Sequence, residues 1–187
     1  EERLGRRVDE LLEDAYAQLR DVREGAVSTV YPALAAASPD RFGLCVVGVD
    51  GVEHAVGDAD VAFTIMSVSK PFVFALVCDD LGAGAARDLV GVDATGLPFD
   101  SLAAIERSAD GRTNPMVNAG AIATTSHVCG VTAHEKWDHI VDVLSRFAGH
   151  PLVVDDDTYA SASATNFRNR DIVRLLERAG LLGTDPQ

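Results

Sequence analysis

Apolar residues return every three or four positions at the start of the chain: Leu4, Val8, Leu11, Leu12, Ala15, Tyr16, Leu19 and Val22, with Gly25 following. That spacing predicts an amphipathic helix with one face laid on something else. The period changes after Pro32 and a short alanine-rich segment. The run Gly43 to Val49, the pair Asp50-Gly51 and the run Val52 to Gly57 predict a β-hairpin of two antiparallel strands, because Asp-Gly suits the positive φ of a tight turn. From Ser67 to Leu81 the chain reads SVSKPFVFALVCDDL, apolar after Lys70 and closed by Gly82. This predicts a helix buried on most sides, with Pro71 in its first turn, where the missing N–H costs little. Residues 93–113 are rich in Gly, Asp and turn signals and predict a surface segment around one short helix over 102–108. A further buried helix is predicted from near Ala119. Thr132 and Glu135 have the spacing of a capping box, and Trp137, Ile140, Val141, Leu144 and Phe147 supply the stripe behind it. A last helix is predicted over 167–179, stopped by Gly180.

Charge narrows the function classes. Sixteen basic against 29 acidic side chains give 16 − 29 = −13, which opposes nucleic-acid binding because phosphate contacts need clustered Lys and Arg. Hydrophobic residues make up 47% of the 187 and charged residues 24%, so the chain is expected to fold, and its length predicts one domain. Cys45, Cys78 and Cys129 are odd in number and lie in apolar runs, which predicts small buried thiols in a reducing compartment. The first 24 residues are charged and amphipathic, unlike a signal peptide, and no apolar run approaches the roughly 20 residues a bilayer needs. A cytoplasmic protein with no membrane partner is expected.

The chemistry concentrates at Ser67 and Lys70. They are three residues apart at the start of a predicted helix, so one turn brings the side chains together. A lysine desolvated by apolar neighbours loses part of its preference for the charged form, and its amine can then take a proton from the adjacent hydroxyl. The helix start also offers unpaired N–H groups to a developing oxyanion. S-x-x-K recurs by chance in unrelated chains, but this chain has only two lysines, Lys70 and Lys136, and Lys70 lies in an apolar context where an unpaired ammonium is costly. Ser69 is the competing hydroxyl and faces another direction on a helix. Among enzymes with this motif, β-lactamases and penicillin-binding proteins add S-D-N and K-T-G elements. Neither element occurs here.

Four stretches, FTIMSVSKPFVFALVCDDLG (63–82), VGVDATGLPFDSL (90–102), NPMVNAGAI (114–122) and ATNFRN (164–169), resemble the serine-dependent glutaminases in order and spacing. The resemblance implies an α+β fold of the β-lactamase and glutaminase kind, with an antiparallel sheet and a helical cluster carrying the S-x-x-K helix. It implies hydrolysis of the glutamine side-chain amide to glutamate and ammonia through an acyl-enzyme. On the matching positions Ser67 resembles the nucleophile and, through its own N–H, half of the oxyanion hole; Lys70 resembles the general base. Asn118 and Asn169 resemble the amides that hold the substrate α-carboxylate, although asparagine at such places is as readily explained by turn and capping chemistry. No metal and no organic cofactor are implied; the partner is a small molecule, glutamine or a derivative.

Three matching positions depart from the family pattern. Val30, in VYPAL, stands where the family has a substrate-contacting tyrosine, with Tyr31 in the neighbouring slot. Met66 replaces a glutamine before the nucleophile. Ala162, in SASATNFRN, replaces a glutamate resembling a clamp for the substrate ammonium. Family members continue well beyond this length, so residues 1–187 are expected to form a single glutaminase-like domain incomplete at its C-terminus, and the exposed edges predict a homo-oligomer. Three readings stay open: a glutaminase, a glutaminase-derived binding module that has lost catalysis, and an amidase for N-blocked glutamine. Other candidates are weaker. His134 and His139 are five apart, unlike a zinc-helix pair; Asp155, Asp156 and Asp157 read as a solvated acidic loop; and Tyr159 reads as packing.

Overall fold

A computed structural model describes residues 2–183, with side chains from residue 5 onward. The side chain of Leu4, first in the predicted stripe, and the final residue Gln187 lie outside the described residues. In chain order the elements are α1 (Glu2–Leu19), a 3-10 turn (Pro32–Ala36), β1 (Gly43–Val47), β2 (Glu53–Gly57), a 3-10 turn (Met66–Val68), α2 (Ser69–Leu81), α3 (Ala83–Val90) and α4 (Ala103–Arg107). They continue with α5 (Asn118–Ser126), α6 (Ala133–Ala148), α7 (Asp156–Thr165) and α8 (Phe167–Arg178). The chain divides into two compact units, residues 1–64 with 156–162, and residues 65–155 with 163–187.

The first unit is built on the predicted hairpin. Strands β1 and β2 run antiparallel with Gly43 opposite Gly57, Cys45 opposite Ala55 and Val47 opposite Glu53. The turn closes where the Gly48 N–H donates to the Val52 carbonyl at 2.8 Å, and Gly51 takes the positive φ of 81° that its type permits. Helix α1 packs beside β2, where His54 Nδ1 and Asp9 Oδ1 lie 2.7 Å apart. Tyr16 stacks on Phe42 with ring centroids 5.4 Å apart. Gly57 is needed here: any Cβ would collide with the Tyr16 ring, and its φ is 72°. The helical stripe is narrower than predicted, since Val8, Leu12, Ala15 and Tyr16 are half-buried while Leu11, Leu19 and Val22 are exposed. No described residue of this unit is buried.

The second unit holds the core, in two clusters. Val73, Leu76 and Val77 of α2 meet Ala86 of α3, Val128, and Ile140 of α6. Ile105 of α4 and Ala119 of α5 meet Ile172 and Leu176 of α8 and then Leu181. Fully buried side chains of this size contribute about 1.5–3 kcal/mol each. Helix α5 comes close to the preceding loop at Gly120, where a Cβ would strike the Asn114 carbonyl. The capping box of α6 is formed: the Glu135 N–H donates to Thr132 Oγ1 at 3.1 Å, and Glu135 Oε2 accepts from the Thr132 N–H at 3.2 Å. Gly149 ends α6 in the left-handed conformation, φ 73°.

Several expectations need correction. Helix α2 is buried along one face only, because Phe72 and Phe74 are half-buried and Ser67, Val68 and Ala75 are exposed. Helix α3 is unexpected: AGAARDLV is only eight residues long, and its buried positions, Ala86 and Val90, make a single i, i+4 pair. Asp156 and Asp157 begin α7, where carboxylates favour the positive helix end, so the acidic run is a loop only at Asp155. Cys45 and Cys129 are exposed and Cys78 is half-buried, all three free. Trp137 and Phe147 of α6 are exposed, although the Phe147 ring tilts onto Phe72 at 4.9 Å. Among the described residues no helix is long and apolar enough to cross a membrane.

Candidate functional site

The second unit brings Ser67, Lys70, Asn118 and Asn169 into one region from three parts of the chain. Ser67 lies in the 3-10 turn that leads into α2, and Lys70 in the first turn of α2. The two are three residues apart across the junction of the turn and the helix, a spacing that brings their side chains to one side. Asn118 is the first residue of α5 and Asn169 lies in the first turn of α8.

A chain of hydrogen bonds joins three of the four. The Lys70 ammonium donates to Asn118 Oδ1 at 2.7 Å and to the Met116 carbonyl at 3.1 Å. Asn118 Nδ2 in turn donates to Asn169 Oδ1 at 2.9 Å. The direction of this relay is set at the lysine end, since an ammonium has donors only and forces the Asn118 oxygen toward itself. Asn169 Nδ2 is left without an acceptor among the described residues, a donor pair free to meet a carboxylate. Two of the three Lys70 positions are thus committed to oxygen acceptors. The third carries either a proton or, in the neutral amine, the lone pair.

The loop around Lys70 is itself fixed. Asn114 Oδ1 accepts from the Met116 N–H at 3.0 Å and Asn114 Nδ2 donates to the Asp93 carbonyl at 2.9 Å, which holds the Met116 carbonyl against the lysine. The Asn118 N–H, unpaired within its own helix at the start of α5, donates to the Phe99 carbonyl at 2.7 Å. The Phe99 ring lies 5.8 Å from Lys70 Nζ, within cation–π range. No carboxylate pairs with Lys70 among the described residues, and burial pushes its pKa below the ordinary lysine value.

Ser67 is brought near the relay but not into it. It is exposed, and its hydroxyl makes no hydrogen bond among the described residues. The residue before it has a feature no sequence pattern announces: Met66 has φ 44°, the one non-glycine residue with positive φ among those described. Such a conformation costs on the order of 1–3 kcal/mol and persists where surrounding structure enforces it, commonly at functional sites. The contact of Asn118 with the lysine also escapes sequence reasoning, because a contact across 48 positions has no local signature.

The remaining candidates do not join this relay. Val30 and Ala162 belong to the first unit. His134 faces Asp138 at 3.5 Å, and His139 Nδ1 lies 3.4 Å from the Cys129 carbonyl and 3.9 Å from Asp80. No group of three or more His, Cys, Asp or Glu that could hold a metal occurs among the described residues. Tyr159 is exposed.

Comparisons with known proteins bear on this arrangement. The family model described as Glutaminase matches residues 25–187. Glutaminase 2 of Yersinia pestis is 54% identical over 179 residues, 96% of this chain and 53% of its own. A glutaminase of Brucella abortus is 46% identical over 155 residues, 83% of this chain and 49% of its own. Among solved structures, the probable glutaminase ybaS superposes with a TM-score of 0.91 at 35% identity, covering 95% of this chain and 58% of that one. A probable glutaminase from Bacillus subtilis, complexed with 6-diazo-5-oxo-L-norleucine, has a TM-score of 0.80 at 27% identity, covering 95% and 54%. The expected α+β, glutaminase-like architecture is therefore correct. The chain spans about half the length of the curated relatives it matches.

Proposed function

Since the chain belongs to the glutaminase family, we propose that the full-length protein carrying it hydrolyses the side-chain amide of L-glutamine to L-glutamate and ammonia, with Ser67 as nucleophile and Lys70 as general base. The observation that carries this reading is the relay from Lys70 through Asn118 to Asn169, which fixes two of the lysine's three positions beside the start of α2 and leaves an amide donor pair at its far end.

The chemistry follows from those positions. Ser67 Oγ forms a bond to the amide carbon as its proton passes to the neutral Lys70 amine, and the carbonyl electron pair moves onto oxygen, where the Ser67 N–H supports it. Collapse breaks the C–N bond; the proton held by Lys70 goes to the departing nitrogen, which leaves as ammonia. Water then adds to the ester by the same route, releasing glutamate and restoring the serine. Asn118 and Asn169 hold the α-carboxylate through their amide N–H groups. The lowered basicity of Lys70 supports its role, because a fully charged ammonium could not accept the first proton.

The reading extends to one glutaminase-like domain in a cytoplasmic, homo-oligomeric protein. Three free cysteines support the setting. Exposed Val46, Val47 and Val49 on and beyond β1 support association; analytical ultracentrifugation decides it. Ammonia release from L-glutamine by the full-length protein tests the activity, and no release at millimolar substrate would refute it. A second reading, an amidase for N-blocked glutamine, rests on Ala162, where the family pattern has a carboxylate. A charge-assisted contact there is worth about 1.5–3 kcal/mol, or roughly 10- to 150-fold. On the first reading Ala162→Glu lowers KM for L-glutamine and leaves N-acetylglutamine unchanged; turnover of N-acetylglutamine in preference to L-glutamine by the unaltered protein favours the second.

A further inference from the structure

Ser69 takes no part in the lysine relay, yet its hydroxyl is engaged. It donates to the Met66 carbonyl at 2.7 Å, and the Ser69 backbone N–H is shared between that oxygen and the Ser67 carbonyl. Met66 is the residue held at φ 44°. A side chain of that size disfavours the left-handed region, so the peptide that follows it would swing toward an ordinary conformation unless something tied it. A trans peptide is planar, with its C=O and N–H on opposite sides. Whatever fixes the Met66 oxygen therefore fixes the direction of the Ser67 N–H. That N–H has no acceptor among the described residues, as is usual in the first turn of a helix, so it is available to a ligand if its direction is held.

We propose that Ser69 is a positioning residue: its hydroxyl anchors the Met66 carbonyl and so holds the Ser67 N–H open toward the oxyanion of a carboxamide substrate. The proposal rests on the reading of Ser67 as nucleophile. It separates two serines two positions apart by function, one supplying the attacking oxygen and the other the orientation of that residue's own amide. It also gives the strain at Met66 a purpose, since a relaxed Met66 would rotate the peptide and turn the donor away.

The experiment compares Ser69→Ala, Ser69→Thr and Ser69→Cys in the full-length protein, with L-glutamine as substrate. A whole oxyanion donor is worth roughly 10²–10³-fold in kcat, and one left misaligned part of the time loses a share of that. Ser69→Ala is expected to lower kcat about 10- to 100-fold with KM nearly unchanged, because the donor acts in the transition state. Ser69→Thr, whose hydroxyl can reach the same carbonyl, restores kcat; Ser69→Cys, a weaker donor of similar size, falls between them and serves if Ser69→Ala does not fold. Wild-type kcat in Ser69→Ala and Ser69→Cys overturns the proposal, as does a Ser69→Thr that fails equally while all three variants melt early. Ser67→Ala is the control for the underlying reading: if it retains turnover, that reading falls. A dead Ser67→Ala beside a fully active Ser69→Ala removes the proposal alone.

Discussion

Replacing Asn118 by aspartate tests the relay at its centre without changing its shape. The carboxylate keeps an oxygen 2.7 Å from Lys70 Nζ, where the amide oxygen now stands. Its second oxygen faces Asn169, whose amide can turn over and donate in place of accepting, so every hydrogen bond survives. What changes is the charge beside the lysine. At 2.7 Å the Coulomb energy is about 1.5 kcal/mol with the dielectric of water and about 6 with an effective value of roughly 20. Lys70 and Asn118 are both half-buried, so screening holds the effect near the lower figure, roughly 1.5–2 kcal/mol. That favours the ammonium and depletes the neutral amine about 10- to 30-fold at a given pH below the lysine pKa. The sign is fixed: activity needs the neutral amine, so the rising acid limb of log kcat against pH moves to higher pH and the variant recovers as pH is raised. The introduced carboxylate would also repel a substrate carboxylate, which shows as a raised KM at all pH values and is separable from the kcat limb. The assay is ammonia release from L-glutamine across pH in the full-length protein, with structure checked by circular dichroism. An acid limb in the same place as wild type would refute the assignment of Lys70 as the base.

Three further outcomes are expected. Ser67→Ala and Lys70→Ala each abolish turnover, and the double variant is no worse than either, because the pair acts as a unit; a diazoketone glutamine analogue labels wild type, and labelling of Ser67→Ala followed by mass spectrometry would contradict the nucleophile. Gly120→Ala drives a Cβ into the Asn114 carbonyl and costs about 3 kcal/mol in urea unfolding; an unchanged midpoint would show that the loop yields freely. Asp110 accepts from the Arg112 N–H, the Arg112 guanidinium and Ser108, which hold its pKa below the usual carboxylate range. Its stabilisation is present above the unfolded pKa and lost as pH falls through the lowered value, so Asp110→Asn lowers Tm at neutral pH and the gap to wild type closes as the carboxyl takes up its proton; a gap independent of pH would place the effect elsewhere.

What could be read from the chain was what depends on neighbours in sequence. Thr132 and Glu135 announce the start of α6 because both halves of the box lie within one turn. Asp50-Gly51 announces the hairpin because the reversal between Val47 and Glu53 is decided within a short local segment, where Gly51 takes the positive φ. Ser67 and Lys70 declare themselves through spacing, and the blocks around Asn118 and Asn169 through resemblance. The pattern fails where tertiary context decides. Helix α3 packs Ala86 and Val90 against its neighbours, a single i, i+4 pair too short to establish a period in the sequence. The exposure of Trp137 and Cys129 reverses expectations drawn from residue type alone. The positive φ of Met66 leaves no mark in the residue pattern, and the acceptor role of Asn118 toward Lys70 depends on two helices meeting.

The hairpin and α1 are assembled without a single buried residue among those described, whereas α2, α5 and α8 enclose side chains such as Val77 and Ile172 at 0% exposure. Amide exchange reads that contrast directly. Backbone hydrogen bonds with no apolar cover open at small cost, so the amides of β1 and β2 exchange through local fluctuations, while those of α2, α5 and α8 wait for larger openings. The Lys70–Asn118–Asn169 relay joins the first turns of three helices of the slow-exchanging kind. The relay is thereby mounted on the part of the chain with the most apolar cover, and a limited protease acting on the native protein would be expected to cut around 20–64 well before it reaches Ser67.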